Sequence, residues 1–77
     1  METIFVYGVT DCPHCLRACA DLMDAGRQYV FINMDYAAAY RDHIKERFSW
    51  KTYPIILEFR NELNLIGGYE QLKEYMK

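Results

Sequence analysis

The beginning of the chain alternates strand, helix and strand signals, and this order constrains the fold more than any other feature. Residues 4–7 form a β-branched and aromatic run that is typical of a buried strand. Pro13 suits the first position of a helix, because its missing N–H would have no partner there, and the helix is predicted to run to about Ala25. Residues 29–32 then predict a second buried strand. Two strands joined by one helix favour a parallel pair with a right-handed crossover.

Within the first predicted helix, small and apolar residues recur at helical spacing and are expected to form its buried face. These residues are Leu16, Cys19, Ala20 and Met23.

The remainder of the chain adds a helix, a hairpin and a last helix. Asp35 is predicted to cap a second helix that runs to about Phe48. Residues 55–59 and 63–66 predict two antiparallel strands joined by a turn at residues 60–61, whose register stays open. The last helix is predicted over residues 69–76, and Tyr7 and Tyr36 are treated as packing residues. The predicted order is β-α-β-α-β-β-α, an α/β fold with a four-stranded mixed sheet and three helices.

Size and charge exclude several classes of protein. A chain of 77 residues has room for one domain, residues 1–77. The formal net charge of −2 excludes a strongly basic nucleic-acid-binding face. No apolar run is long enough to cross a membrane, and the N-terminus enters a strand without a secretion signal. We therefore expect a cytoplasmic monomer with no nucleic-acid or membrane partner.

The segment Cys12-Pro13-His14-Cys15 places two thiols at the start of the first predicted helix. If Pro13 is the first helical residue, Cys12 lies at the N-cap, where free N–H groups and the helix dipole stabilise a thiolate. Cys12 is then the attacking thiol, and Cys15, one turn inside the helix, resolves the mixed disulfide. A protonated His14 adds to this stabilisation, whereas the carboxylate of Asp11 opposes it.

Two other interpretations of these cysteines remain open. Zinc held by Cys12, His14, Cys15 and Cys19 is one, although structural zinc sites usually gather two separated pairs of ligands. Inert packing of the first two cysteines is the other. Cys19 lies between two alanines and is expected to be a small buried apolar residue, with a regulatory thiol as the alternative.

Two further motifs follow the cysteine pair in the chain. Residues 52–54, Thr-Tyr-Pro, precede the third strand, and residues 66–69, Ile-Gly-Gly-Tyr, precede the last helix. The three motifs together resemble the glutaredoxin branch of the thioredoxin superfamily over essentially the whole chain. Residues 68–72 look especially like the ending of small bacteriophage-type glutaredoxins.

The resemblance implies a glutathione site as well as a fold. Pro54 is expected to be cis, so that the backbone of Tyr53 offers a pairing edge to glutathione. Lys51 is expected to meet one carboxylate of the tripeptide and the N–H groups of Glu70 and Gln71 the other; Glu70 is alternatively a partner for the amino group. The full set of substrate or glutathione contacts implied in this way is His14, Lys51, Thr52, Tyr53, Pro54, Gly68, Tyr69, Glu70 and Gln71.

The resemblance also implies an activity and its partners. We expect a thiol–disulfide oxidoreductase that uses glutathione as co-substrate and no metal, with disulfide-containing proteins, ribonucleotide reductase among them, as clients. Many relatives carry lysine where Val9 stands, tyrosine where His14 stands and aspartate where Gln71 stands. The departures at Val9 and Gln71 favour one alternative, a thioredoxin-like protein-disulfide reductase without a glutathione site. An iron–sulfur module is the other, and Pro13 argues against it because relatives with C-P-x-C mostly act as reductases.

Overall fold

The computed structural model describes residues 2–50 and 52–77, and within them the predicted order of elements is confirmed. These described residues fold into four strands, three α-helices and a short 3₁₀ turn between the second strand and the second helix. In chain order they are β1 Thr3–Gly8, α1 Pro13–Asp24, β2 Tyr29–Asn33, the 3₁₀ turn Met34–Tyr36, α2 Ala38–Phe48, β3 Ile55–Phe59, β4 Leu63–Gly67 and α3 Tyr69–Tyr75.

The four strands form one mixed sheet in the order β2-β1-β3-β4. β1 is parallel to β2 and antiparallel to β3, and β4 closes the sheet as an antiparallel hairpin with β3. Phe59 pairs with Leu63, so residues 60–62 form the connection, one residue more than the predicted turn. β1 is therefore a central strand, and its end leads directly into the cysteine segment.

The prediction that β2 is a buried strand is wrong, because β2 lies at the edge of the sheet. Val30 is 44% exposed and Phe31 is 40% exposed. A run of β-branched and aromatic residues predicts a strand, but the same composition occurs in central and edge strands. In the strand order β2-β1-β3-β4, β1 pairs with β3 on its other side and β2 has β1 as its one neighbour. This order is set by the tertiary structure and not by the composition of β2.

The predicted buried face of α1 is also wrong, except at Cys19, which is half-buried and packs against the core. Cys15, Ala18 and Leu22 are the buried residues of this helix, whereas Leu16 is 71% exposed and Met23 is 65% exposed. Both sets have helical spacing, so periodicity alone does not distinguish them. The structure turns the helix so that Cys15 lies inside.

The predicted cap of the second helix is wrong as well. Asp35 lies in the 3₁₀ turn, and the side chain of Asn33 caps that turn by accepting the Asp35 N–H at 2.9 Å. α2 begins only at Ala38 and has no side-chain cap at Ala37. Tyr36 is 88% exposed and is not a packing residue.

The sheet has apolar residues buried on both sides. On one side α1 and α3 cover a cluster of fully buried residues: Ile4, Val6, Ala18, Leu22, Ile56 and Leu72. On the other side α2 and the 3₁₀ turn contribute to a second cluster: Tyr7, Met34, Ile44, Ile55 and Leu57. Among the helices described, none is long and apolar enough to cross a membrane.

Candidate active site

Cys12 is the N-cap residue of α1, and Pro13 begins the helix, as predicted. The Cys12 Sγ accepts a hydrogen bond from the Cys15 N–H at 3.3 Å, so the sulfur takes the place of a capping oxygen. Cys12 and Cys15 form a disulfide with their Cα atoms 5.2 Å apart. Cys15 is 1% exposed and Cys12 only half-buried, so a partner in solution reaches Cys12 first.

Gly8 forms the wall behind the buried sulfur, a role that the sequence reading missed. A Cβ atom at this position would lie 2.8 Å from the Cys15 Sγ and 2.7 Å from the Phe31 Cε1. Real Cβ contacts are essentially never this short, so any side chain at Gly8 would displace Cys15 or Phe31. In the sequence Gly8 is visible only as the end of a strand.

The turn before Cys12 is held by polar residues that follow β2, and sequence reading missed this contact too. The Thr10 N–H donates to Asp35 Oδ2 at 2.8 Å, and the Asn33 side-chain amide donates to Thr10 Oγ1 at 3.4 Å. Hydrogen bonds from the Thr10 side chain and backbone hold the pKa of Asp35 below its usual range. Asp11, between Thr10 and Cys12, has a φ of 57°, in the left-handed region.

The other side of the α1 start contacts α3. The His14 ring stacks on the Tyr69 ring, with centroids 5.6 Å apart and planes inclined by 22°. The Tyr69 hydroxyl donates to Asp21 Oδ2 at 2.7 Å, and this hydrogen bond is the main reason that the pKa of Tyr69 is raised. The Lys73 ammonium lies 5.3 Å from the centroid of the same ring. Tyr69 therefore joins the cysteine motif to the glycine motif.

The Tyr53–Pro54 peptide bond is cis, as the resemblance implied. A Cβ atom at Gly68 would lie 3.6 Å from the Pro54 carbonyl oxygen and 3.6 Å from Trp50 Cζ2. The start of α3 thus contacts the Pro54 loop on one side and His14 on the other. Thr52 is exposed, and Lys51, the predicted carboxylate partner, lies outside the described residues.

The glycine turn before α3 is closed by its own helix. Gln71 Oε1 accepts the Gly68 N–H at 3.0 Å, and Gly67 has a φ of 127°, which favours glycine. Glu70 is exposed and pairs with Lys73 at 3.3 Å. The Gly68 N–H is thus already bonded within the chain, a contact that the sequence reading did not anticipate.

Cys19 is half-buried rather than fully buried, and burial raises the pKa of its thiol. It packs against the cluster under α1. The apolar role predicted for Cys19 thus agrees with its packing.

Within residues 2–50 and 52–77, no three His, Cys, Asp or Glu side chains gather as a metal site would require.

Comparison with known proteins points in the same direction as the geometry. A family model described as glutaredoxin matches residues 4–59. No curated protein sequence matches the chain.

Many solved structures share the fold, and three glutaredoxins are among them. A buckwheat glutaredoxin–glutathione complex has a TM-score of 0.81 at 22% identity, covering 97% of this chain and 68% of the other. The dithiolic glutaredoxin 2-C-Grx1 of Trypanosoma brucei brucei has a TM-score of 0.74 at 24% identity, covering 95% and 75%. A glutaredoxin from Brucella melitensis has a TM-score of 0.73 at 23% identity, covering 96% and 77%.

The matched residues include β1 from Ile4 onward, the cysteine segment, the Pro54 loop and β3, which together form most of the site. The structure places a half-buried and a buried cysteine at the start of a helix, joined by a disulfide, as a dithiol redox pair requires. The chain therefore belongs to the glutaredoxin family and is a thiol–disulfide oxidoreductase with a Cys12–Cys15 pair.

Proposed function

We propose that this oxidoreductase is linked to glutathione and reduces protein disulfides or glutathione mixed disulfides. The observation that carries the proposal is the meeting of the three motifs. Tyr69 stacks on His14 of the cysteine motif, and the neighbouring Gly68 faces the Pro54 carbonyl oxygen. A peptide-sized disulfide on Cys12 would have the Pro54 loop and the α3 start within reach.

The reaction consists of two thiol–disulfide exchanges. The Cys12 thiolate attacks one sulfur of the substrate disulfide; a bond forms to Cys12 Sγ, the substrate S–S bond breaks, and the departing thiolate takes a proton from solvent. The Cys15 thiol then loses its proton and attacks Cys12 Sγ, which releases the second substrate thiolate. Two electrons have passed from the dithiol to the substrate, and the Cys12–Cys15 disulfide is the oxidised product.

Two glutathione molecules restore the dithiol and leave as glutathione disulfide. The short distance between the two cysteines favours the internal step, because Cys15 is held 5.2 Å from Cys12 between Cα atoms. A glutathione mixed disulfide on Cys12 has a second route, since external glutathione can attack it directly. Ribonucleotide reductase is the proposed client on the resemblance alone.

The test compares two substrates with the Cys15→Ser variant. Turnover of a small glutathione mixed disulfide by glutathione and its reductase should largely persist, because external glutathione bypasses Cys15. Reduction of an intramolecular protein disulfide should be lost, because the client remains attached to Cys12. Cys19→Ser is the matched control and should retain both activities, while Cys12→Ser should lose both.

A second candidate function is thioredoxin-like reduction of protein disulfides without a glutathione site. The bond from the Gly68 N–H to Gln71 favours it, because that N–H is already occupied. Loss of both activities in Cys15→Ser would support this candidate. Equal glutathione-dependent activity in the Lys51→Ala variant and in the Lys77→Ala control would also support this candidate. The glutathione-linked function predicts instead that Lys51→Ala loses about 1 kcal/mol of transition-state binding.

A further inference from the structure

We propose that Asp35 is a positioning residue for the nucleophile: its carboxylate holds the Thr10–Asp11 turn and thereby keeps Cys12 at the cap of α1. Asp35 follows β2 and belongs to none of the three motifs. The proposal depends on the cysteine pair and is independent of glutathione.

The contact joins two parts of the chain that are distant in sequence. Asp35 Oδ2 accepts the Thr10 N–H at 2.8 Å across 25 positions. Asn33 supports both partners, since its side-chain amide donates to Thr10 Oγ1 and its side-chain oxygen accepts the Asp35 N–H at 2.9 Å. The turn is therefore anchored to the end of β2, which the sheet in turn holds beside β1.

The turn needs an anchor because its backbone is unfavourable. Asp11 has a φ of 57°, in the left-handed region that non-glycine residues rarely adopt, although aspartate tolerates it better than most. Cys12 follows with an extended φ of −115°, and α1 starts at the next residue. Such a conformation persists when the surroundings hold it, and the Thr10–Asp35 hydrogen bond supplies that restraint.

Positioning and direct charge have opposite effects on the Cys12 thiol. An ordered turn keeps Cys12 Sγ beside the Cys15 N–H and the positive end of α1, which stabilises the thiolate. A negative charge on Asp35 by itself destabilises the thiolate, as does that of Asp11, while protonated His14 acts in the other direction. Removal of Asp35 therefore raises the thiol pKa if positioning dominates and lowers it if charge dominates.

The experiment measures Cys12 alkylation rate against pH in the reduced full-length protein, with the labelled residue identified by mass spectrometry. Asp35→Ala removes both the acceptor and the charge, and we expect it to raise the Cys12 pKa by about one unit, with a roughly tenfold smaller thiolate fraction below the pKa. Asp35→Asn keeps an acceptor oxygen without the charge and should stay within a few tenths of a unit of wild type or fall below it. Asp24→Ala, an exposed carboxylate at the other end of α1, is the matched control and should match wild type.

Three outcomes would overturn the proposal. A lower pKa in both Asp35 variants means that only the charge acts, and an unchanged pKa in both means that the turn does not need Asp35. An equal rise of the Cys12 pKa in Asp35→Ala and Asp35→Asn means that the acceptor oxygen of residue 35 does not position Cys12. Circular dichroism of each variant confirms folding, and Thr10→Ala, which removes the side-chain contacts but keeps the Thr10 N–H, should produce a smaller rise than Asp35→Ala.

Discussion

The starts of α1 and α3 meet at the site, and their caps are built differently. At α1 the N-cap is Cys12, whose sulfur accepts the Cys15 N–H. At α3 the cap is Gly68, and Gln71 of the same helix folds back to accept the Gly68 N–H. The α1 start therefore directs a backbone N–H at the reacting sulfur, while the α3 start satisfies its turn internally and presents side chains, with Tyr69 stacked on His14. Chemistry therefore belongs to the α1 start and positioning to the α3 start.

The largest effects should come from the packing that both starts share. Leu22 of α1 and Leu72 of α3 are fully buried in the same cluster. Leu22→Ala and Leu72→Ala should each lower the free energy of unfolding by about 2–5 kcal/mol, because each leaves a cavity under the site. Urea unfolding of the oxidised protein measures this.

Leu16→Ala is the matched control for this packing. Leu16 is 71% exposed, so its truncation should change stability by less than about 0.5 kcal/mol. A large loss of unfolding free energy in Leu16→Ala with none in Leu22→Ala would show that the buried face of α1 is the one predicted from periodicity alone. A negligible loss at Leu72 alone would contradict the shared packing of the two helix starts, because α3 would then be only loosely attached.

A medium effect should separate the glycines behind the two starts. Gly8→Ala places a Cβ within 3 Å of both Cys15 and Phe31 and should cost about 1–3 kcal/mol, with slower formation of the Cys12–Cys15 disulfide. At Gly68 the nearest neighbour of such a Cβ is Gln71 Oε1 at 3.4 Å, which is ordinary contact. Gly68→Ala should therefore cost less than about 1 kcal/mol. Equal costs in urea unfolding would show that the wall behind Cys15 is no tighter than the turn before α3.

The smallest effect concerns the ring between the two starts. The Tyr69 hydroxyl is neutral when it donates to Asp21, which raises its pKa above the ordinary value of about 10. The stability from this contact should thus be complete below pH 10 and disappear as pH rises through the raised pKa. Asp21→Asn should return the Tyr69 pKa toward 10 in an NMR titration of the ring carbons. The control Asp24→Asn should leave the Tyr69 pKa unchanged. If Asp21→Asn also left the Tyr69 pKa unchanged, the hydrogen bond between Tyr69 and Asp21 would be contradicted.

The sequence predicted the parts of the site that reside in short motifs. Cys12 at the cap follows from Pro13, because a proline at the first helical position fixes where the helix begins. The cis bond before Pro54 came from the family resemblance and not from local preferences, which favour trans. Motifs of this kind are local, so neighbouring residues suffice to define them.

Contacts between distant segments were not predicted. Aspartate is a common helix-capping residue, yet Asp35 Oδ2 accepts a hydrogen bond from the Thr10 N–H, 25 positions away in the chain. Asn33 took the capping role because the strand continues to it and the chain then turns. From the sequence, Gly8 was predicted only to end a strand, because the residues next to it in the chain do not indicate that Cys15 packs against it.

By itself the sequence determined the order of strands and helices and the pair of thiols at a helix start, because periodicity, proline placement and cysteine spacing act within a few residues. The redox role of the two thiols followed from the resemblance that the three motifs carry together. The tertiary structure decided which face of α1 lies inside, that β2 is an edge strand, and that Asp35 and Tyr69 contact the α1 start from opposite sides. The physical reason is degeneracy: two faces of one helix, or two places in a sheet, satisfy the same local pattern. Packing of the whole chain selects between them, since it must bury Cys15, Ala18 and Leu22 against the sheet together.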